Sequence, residues 1–102
     1  MKLGLIQMKV SEDKAANIEK ACAMIEKACE MGADMAVLPE MFNCPYDNKY
    51  FREYAEDSSG ITIESIKKIA VEKGIYVVAG SIPEIDGNEV YNTAFVMNQK
   101  GE

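Results

Sequence analysis

The chain has 102 residues, a formal net charge of −6 and a pI near 4.7. An apolar fraction of 48% against 27% charged residues fits one globular domain, or part of one, and excludes disorder. The acidic balance repels phosphate backbones, so no nucleic-acid partner is expected. The absence of histidine removes Ser–His and Cys–His couples and the usual zinc site.

The elements follow one another legibly. Leu3 to Met8 is a short apolar run and predicts a buried strand. Ser11, followed by Glu12 and Asp13, predicts a helix cap with acids in the first turn. Ile18, Cys22, Ile25 and Cys29, with Ala21 and Ala28, form one apolar helix stripe, and Gly32 supplies the left-handed residue that ends it. Met35 to Leu38 is a second strand, stopped by Pro39. A polar, aromatic stretch from Asn43 to Tyr54 predicts a loop with a short helix. Thr62 is the expected cap of another helix, with Ile63, Ile66, Ile69 and Ala70 on its buried side and Gly74 at its end. Ile75 to Ser81 predicts a third strand, Asp86-Gly87-Asn88 a turn, and Glu89 to Met97 a fourth strand.

Strand–helix–strand–helix–strand with short links implies parallel strands joined by right-handed crossovers. The last two strands, joined by a turn, are expected to be antiparallel. Four strands with helices on one face leave the other face bare. A second sheet stacked on it would cover it, supplied by a partner or by chain beyond residue 102.

Three cysteines make an odd number, and none forms a C-x-x-C pair. Cys22 and Cys29 are two helix turns apart, about 10 Å, too far for a disulfide. No signal peptide is recognisable, and no run approaches the roughly 18 apolar residues needed to cross a bilayer. Reduced thiols in a cytoplasmic protein without a membrane partner are the expectation. The methionines read as packing residues, and no metal site or phosphate loop is predicted.

The residue best placed for chemistry is Glu40, in Leu38-Pro39-Glu40-Met41-Phe42. It follows a buried strand, and reactive groups in parallel α/β sheets gather at the carboxyl ends of strands. Hemmed in by Leu38, Phe42 and Tyr46, its carboxylate is expected to be partly desolvated, which favours proton acceptance near neutral pH. A solvated loop acid or a helix-cap ligand is the alternative. Cys44 reads as a loop thiol, since a neighbouring carboxylate disfavours the thiolate. Lys49 reads as surface. Phe42 and Tyr46 offer pocket walls or core packing. Asn92 is expected to be a buried support for the loop after the second strand.

Leu38 to Tyr46 resembles the catalytic-glutamate segment of the nitrilase, or carbon–nitrogen hydrolase, superfamily. Gln7 at the close of the first strand, Gly80-Ser81-Ile82-Pro83-Glu84 and Tyr91-Asn92-Thr93-Ala94 resemble other segments of that family, in the same order. Phe51 through Tyr54-Ala55-Glu56 resembles its omega-amidase branch. The resemblance implies an α/β fold of β-α-β-α-β-β order, with residues 1–102 forming the N-terminal half of a four-layer α-β-β-α sandwich. It implies a hydrolase of small amides that uses a glutamate, a lysine and a cysteine and no cofactor. Only the glutamate has a counterpart here, Glu40, with Tyr46 and Phe42 bordering the substrate. The chain alone is therefore expected to be inactive, and to associate with itself or with a complementary C-terminal segment. A non-catalytic α/β binding module, or one subunit of a split hydrolase, remains open at this stage.

Overall fold

A computed structural model describes residues 1–57 and 59–102 of the chain. Its elements are β1 (Leu3–Leu5), α1 (Lys14–Glu30), β2 (Met35–Val37), α2 (Asn48–Tyr54), α3 (Ile61–Lys73), β3 (Tyr76–Asp86) and β4 (Glu89–Met97). The four strands form one sheet in the order β1-β2-β3-β4. The first three are parallel and β4 returns antiparallel to β3, as the connection lengths require.

Period-two alternation sorts the sheet into two faces. Gly4, Ala36, Val77, Ala79 and Met97 face α1 and α3, and all but Gly4 are buried. They pack against Ala21, Ile25, Ile63, Ile66 and Ala70 in the core. Gly4 permits close approach: a Cβ there would lie 2.9 Å from that of Ala28 on α1. The opposite face carries Leu3, Leu5, Val37, Tyr76, Val78 and Val96 in register. Among the described residues nothing covers it, and Leu3, Leu5 and Val96 are 54%, 75% and 66% exposed.

Several boundaries differ from expectation. β1 ends at Leu5: the Ile6 N–H still donates to Val37 O (2.9 Å), and then the chain leaves the sheet. Gln7 therefore lies beyond the strand and is exposed. Asp13, not Ser11, caps α1, its carboxylate accepting the Ala16 N–H at 3.1 Å. Ser11 is engaged elsewhere, its N–H donating to Asn17 Oδ1 (2.8 Å). Gly60 occupies the cap position of α3, and Thr62 is already helical. β3 runs five residues past Ser81, through an irregularity between Gly80 and Ile82 that lets it follow β4 to the turn. Asn92 is exposed, because it alternates with Val90, Ala94 and Val96 on the bare face. The helix ends fall as predicted, with Gly32 and Gly74 at φ 91° and 62°.

Candidate active site

Leu38 prolongs the sheet ladder by one bond, its N–H donating to Val78 O at 2.9 Å. The chain then turns at Pro39 and packs inward. Leu38, Met41, Phe42, Asn43 and Cys44 are all buried, and Glu40 is the one exposed side chain between residues 38 and 44. The loop thus presents a single carboxylate at the carboxyl end of β2. Met41, the residue that turns it outward, has φ 52°, a left-handed conformation that costs a non-glycine residue about 1–2 kcal/mol.

The exposure of Glu40 corrects the expectation of a desolvated carboxylate. Leu38 and Phe42 point into the core, and Tyr46 is itself 69% exposed, so neither ring closes over the acid. Of the two readings of Phe42, pocket wall or core, the structure supports the core: it has no exposed surface and packs in the main cluster, so the substrate-bordering place implied by the resemblance is not seen here. Tyr46 stands edge-on to Phe51, with ring centroids 5.7 Å apart. It is also Glu40's neighbour: hydrogen bonding to that carboxylate, then its charge, pushes the phenol above its ordinary range. Cys44 is buried, and burial pushes its thiol up to about 11, which leaves it protonated and unreactive at neutral pH. Lys49 is exposed, its ammonium 5.0 Å from the centre of the Tyr50 ring. A groove between β1 and α1, beside Leu3, Leu5, Met24 and Met31, shares no residue with the Glu40 loop.

Two sets of buried polar contacts hold this loop. The first is Ser81 on β3. Its N–H donates to Pro39 O (3.0 Å), its Oγ accepts the Met41 N–H (3.1 Å), and its carbonyl accepts the Phe42 N–H (3.1 Å). The second begins at Asn43. Its carbonyl accepts from Asn17 Nδ2 on α1 (3.1 Å), and its own Nδ2 donates to Thr62 Oγ1 on α3 (3.1 Å). The Thr62 hydroxyl donates in turn to Glu56 Oε2, and the Thr62 N–H donates to Glu56 Oε1 at 2.8 Å. Glu56 is the side-chain cap that Gly60 lacks. It also pairs with Lys14 Nζ at 2.6 Å, with the two side chains 7% and 27% exposed. The backbone of Glu56 bonds Pro83 O and the Ile85 N–H, fixing the segment to β3.

These supports were not singled out from the sequence as such. A buried glutamate or asparagine has no periodic signature, because its place depends on partners 6 to 42 residues away. The signal available was indirect: Ser81 and Glu56 both fall inside segments that carried the family resemblance.

Residues 2–102 match the carbon-nitrogen hydrolase family. The chain belongs to that family. It is 45% identical over 100 residues to the omega-amidase NIT2 of Xenopus tropicalis and 43% identical to that of Homo sapiens. In each case 98% of this chain is covered but 36% of the relative, so the chain spans about a third of the length of these curated relatives. Among solved structures, Nit3 of Saccharomyces cerevisiae, a member of branch 10 of the nitrilase superfamily, superimposes with a TM-score of 0.92 at 32% identity. That match covers all of this chain and 41% of Nit3. A carbon-nitrogen hydrolase superfamily protein from Xanthomonas campestris, solved with an arsenic adduct in its active site, gives 0.86 at 26% identity over 37% of its length. The α/β sheet described above is thus the nitrilase-type sheet of this family.

Proposed function

We propose that Glu40 is the general base of an amide hydrolase whose remaining machinery lies outside these 102 residues. One observation carries this reading: a buried, hydrogen-bonded loop at the carboxyl end of β2 exposes one side chain, and that side chain is a carboxylate. A general base must be rigidly aimed and reachable by the proton donor. Glu40 meets both demands, and Tyr46 beside it supplies a phenol to border the substrate. Phe42 supports the loop from beneath.

In the proposed sequence the Glu40 carboxylate takes the proton of a cysteine thiol, and the thiolate attacks the amide carbon. A lysine and backbone N–H groups hold the oxyanion of the tetrahedral intermediate. The amine leaves as ammonia, carrying the proton from Glu40. Water, deprotonated by the same carboxylate, then cleaves the thioester and returns the thiol. Cys44 does not serve as nucleophile, because its thiol is buried. Lys49 is exposed on α2, with its ammonium over the Tyr50 ring. The lysine and cysteine therefore come from further chain, and the same chain, or a second copy, covers the bare face and dries the surroundings of Glu40. Small amides are the proposed substrates, omega-amides of 2-oxo dicarboxylic acids first, in keeping with relatives named omega-amidases. A cytoplasmic setting and a homo-oligomer belong to the same proposal.

The test is complementation. The 102-residue chain alone should release no ammonia from a panel of small amides. Mixed with a complementary segment that carries a lysine and a cysteine, it should gain turnover that Glu40→Gln abolishes. Turnover by the chain alone, or turnover of the complemented enzyme that survives Glu40→Gln, overturns the proposal.

A further inference from the structure

Ser81 contacts the Glu40 loop on both sides of the glutamate, and each of its polar atoms is used. Pro39 O is held by its N–H, the Met41 N–H by its Oγ, and the Phe42 N–H by its carbonyl. Two of those bonds come from the backbone and would be made by any residue but proline. The third requires a side-chain acceptor of the length of a serine hydroxyl. It falls on Met41, the residue whose left-handed backbone turns the loop. Ser81 and Met41 are both buried, so water cannot replace the acceptor without opening the loop. Other bonds fix Phe42 and Asn43, but among the described residues the peptide between Glu40 and Met41 is held by the Ser81 hydroxyl alone.

We infer that Ser81 is a positioning residue for Glu40: its hydroxyl fixes the Glu40–Met41 peptide, and so the direction in which the carboxylate leaves the loop. The inference rests on the reading of Glu40 as general base for its functional meaning, and on the hydrogen bonds alone for its geometry. Ser81 itself touches neither substrate nor reacting atoms.

The experiment uses the 102-residue chain, with Ser81→Ala to remove the acceptor and Ser81→Thr to retain it. Amide hydrogen exchange should rise about tenfold or more at Met41 in the alanine variant, while the Thr62 amide, held by Glu56 on another path, keeps its rate. Tyr46 reports where the carboxylate points. Its phenol titration, followed by carbon NMR, should fall towards that of an ordinary tyrosine in Ser81→Ala, as it should in Glu40→Gln. Tyr50, whose phenol is raised by Glu12, should titrate as before. Ser81→Thr should restore both the Met41 protection and the Tyr46 titration. Unchanged Met41 exchange, equal acceleration at Thr62, or a Tyr46 titration that Ser81→Ala does not move would each overturn the inference. Failure of the general-base reading shows elsewhere, as turnover surviving Glu40→Gln in the complemented enzyme, and leaves these amide and phenol readouts intact.

Discussion

Removing the Glu56 carboxylate should unfold this chain more readily than any comparable change on its surface. The carboxylate accepts two hydrogen bonds from Thr62 and pairs with Lys14 at 2.6 Å, while 7% exposed. In Glu56→Ala the Thr62 N–H and hydroxyl lose their acceptor in a buried site, at about 1–3 kcal/mol for each unsatisfied group. Breaking a buried ion pair by removing one partner costs about 3–5 kcal/mol in general. Lys14 is 27% exposed and keeps its bond to Tyr54 O, so its ammonium rehydrates and the lower end of that range applies. A loss of about 3 kcal/mol is a large share of the roughly 5–15 kcal/mol that such domains possess. It corresponds to a Tm lower by about 12–24 °C for a chain of this size. Glu56→Gln should cost less, about 1–2 kcal/mol, since its amide oxygen still accepts the Thr62 N–H. Its NH₂ group then faces the ammonium. A cycle with Lys14→Met should give a coupling of about 1–3 kcal/mol. Gly60→Ala provides an independent check, because its Cβ would come within 2.3 Å of Glu56 Oε1 and displace the carboxylate. Its cost should shrink in the Glu56→Ala background. Urea melts of the parent, the four single variants and the two double variants measure all of this. A Glu56→Ala variant within about 0.5 kcal/mol of the parent, or a cycle with no coupling, would refute the reasoning.

Three further outcomes are expected. The chain should bind apolar dyes and self-associate through the bare sheet face, and Leu5→Lys with Val96→Lys should reduce both; a compact monomer by light scattering that binds no dye counts against this. The Tyr50 phenol, pushed up to about 12 chiefly by its hydrogen bond to Glu12, favours the folded state while protonated. That contribution is complete below an ordinary tyrosine pKa of about 10 and is lost as pH rises through about 12. Tyr50→Phe should therefore flatten the alkaline limb of the melting profile, and an unaltered limb would exclude the effect. At pH 8, alkylation should modify Cys44 last of the three thiols, because it is fully buried and its thiol is raised to about 11. Mass spectrometry showing Cys44 modified first would contradict its placement.

Periodicity made the sheet and both long helices legible, because burial against a single core imposes spacings of two and of three to four on the apolar residues. Ile63, Ile66 and Ala70 fall inside as predicted, and β4 has its predicted limits. The caps were less legible for a physical reason. Ser11 and Thr62 look like caps by type, but Asn17 recruits the first and Glu56 the second, and both partners are distant or buried. Glu40 stood out because it follows a buried strand, and reactive groups in parallel α/β sheets gather at the carboxyl ends of strands. Its surroundings did not, because the inward packing of Leu38 and Phe42 goes with loop contacts to Ser81 and Thr62, which are distant in sequence. Asn92 shares its face with Val90 and Ala94 as expected, but that face is the bare one: which side of β4 is covered depends on the register with β3, which the sequence does not print.

The strict alternation of the sheet also separates two design problems. Leu3, Leu5, Tyr76 and Val96 stand on one side, and Ala36, Val77, Ala79 and Met97 on the other. Solubilising substitutions at the first four positions would leave the second four, and the polar supports of the loop, untouched. A water-compatible miniature scaffold that still displays the Glu40 loop is therefore reachable by redecorating one side of a sheet.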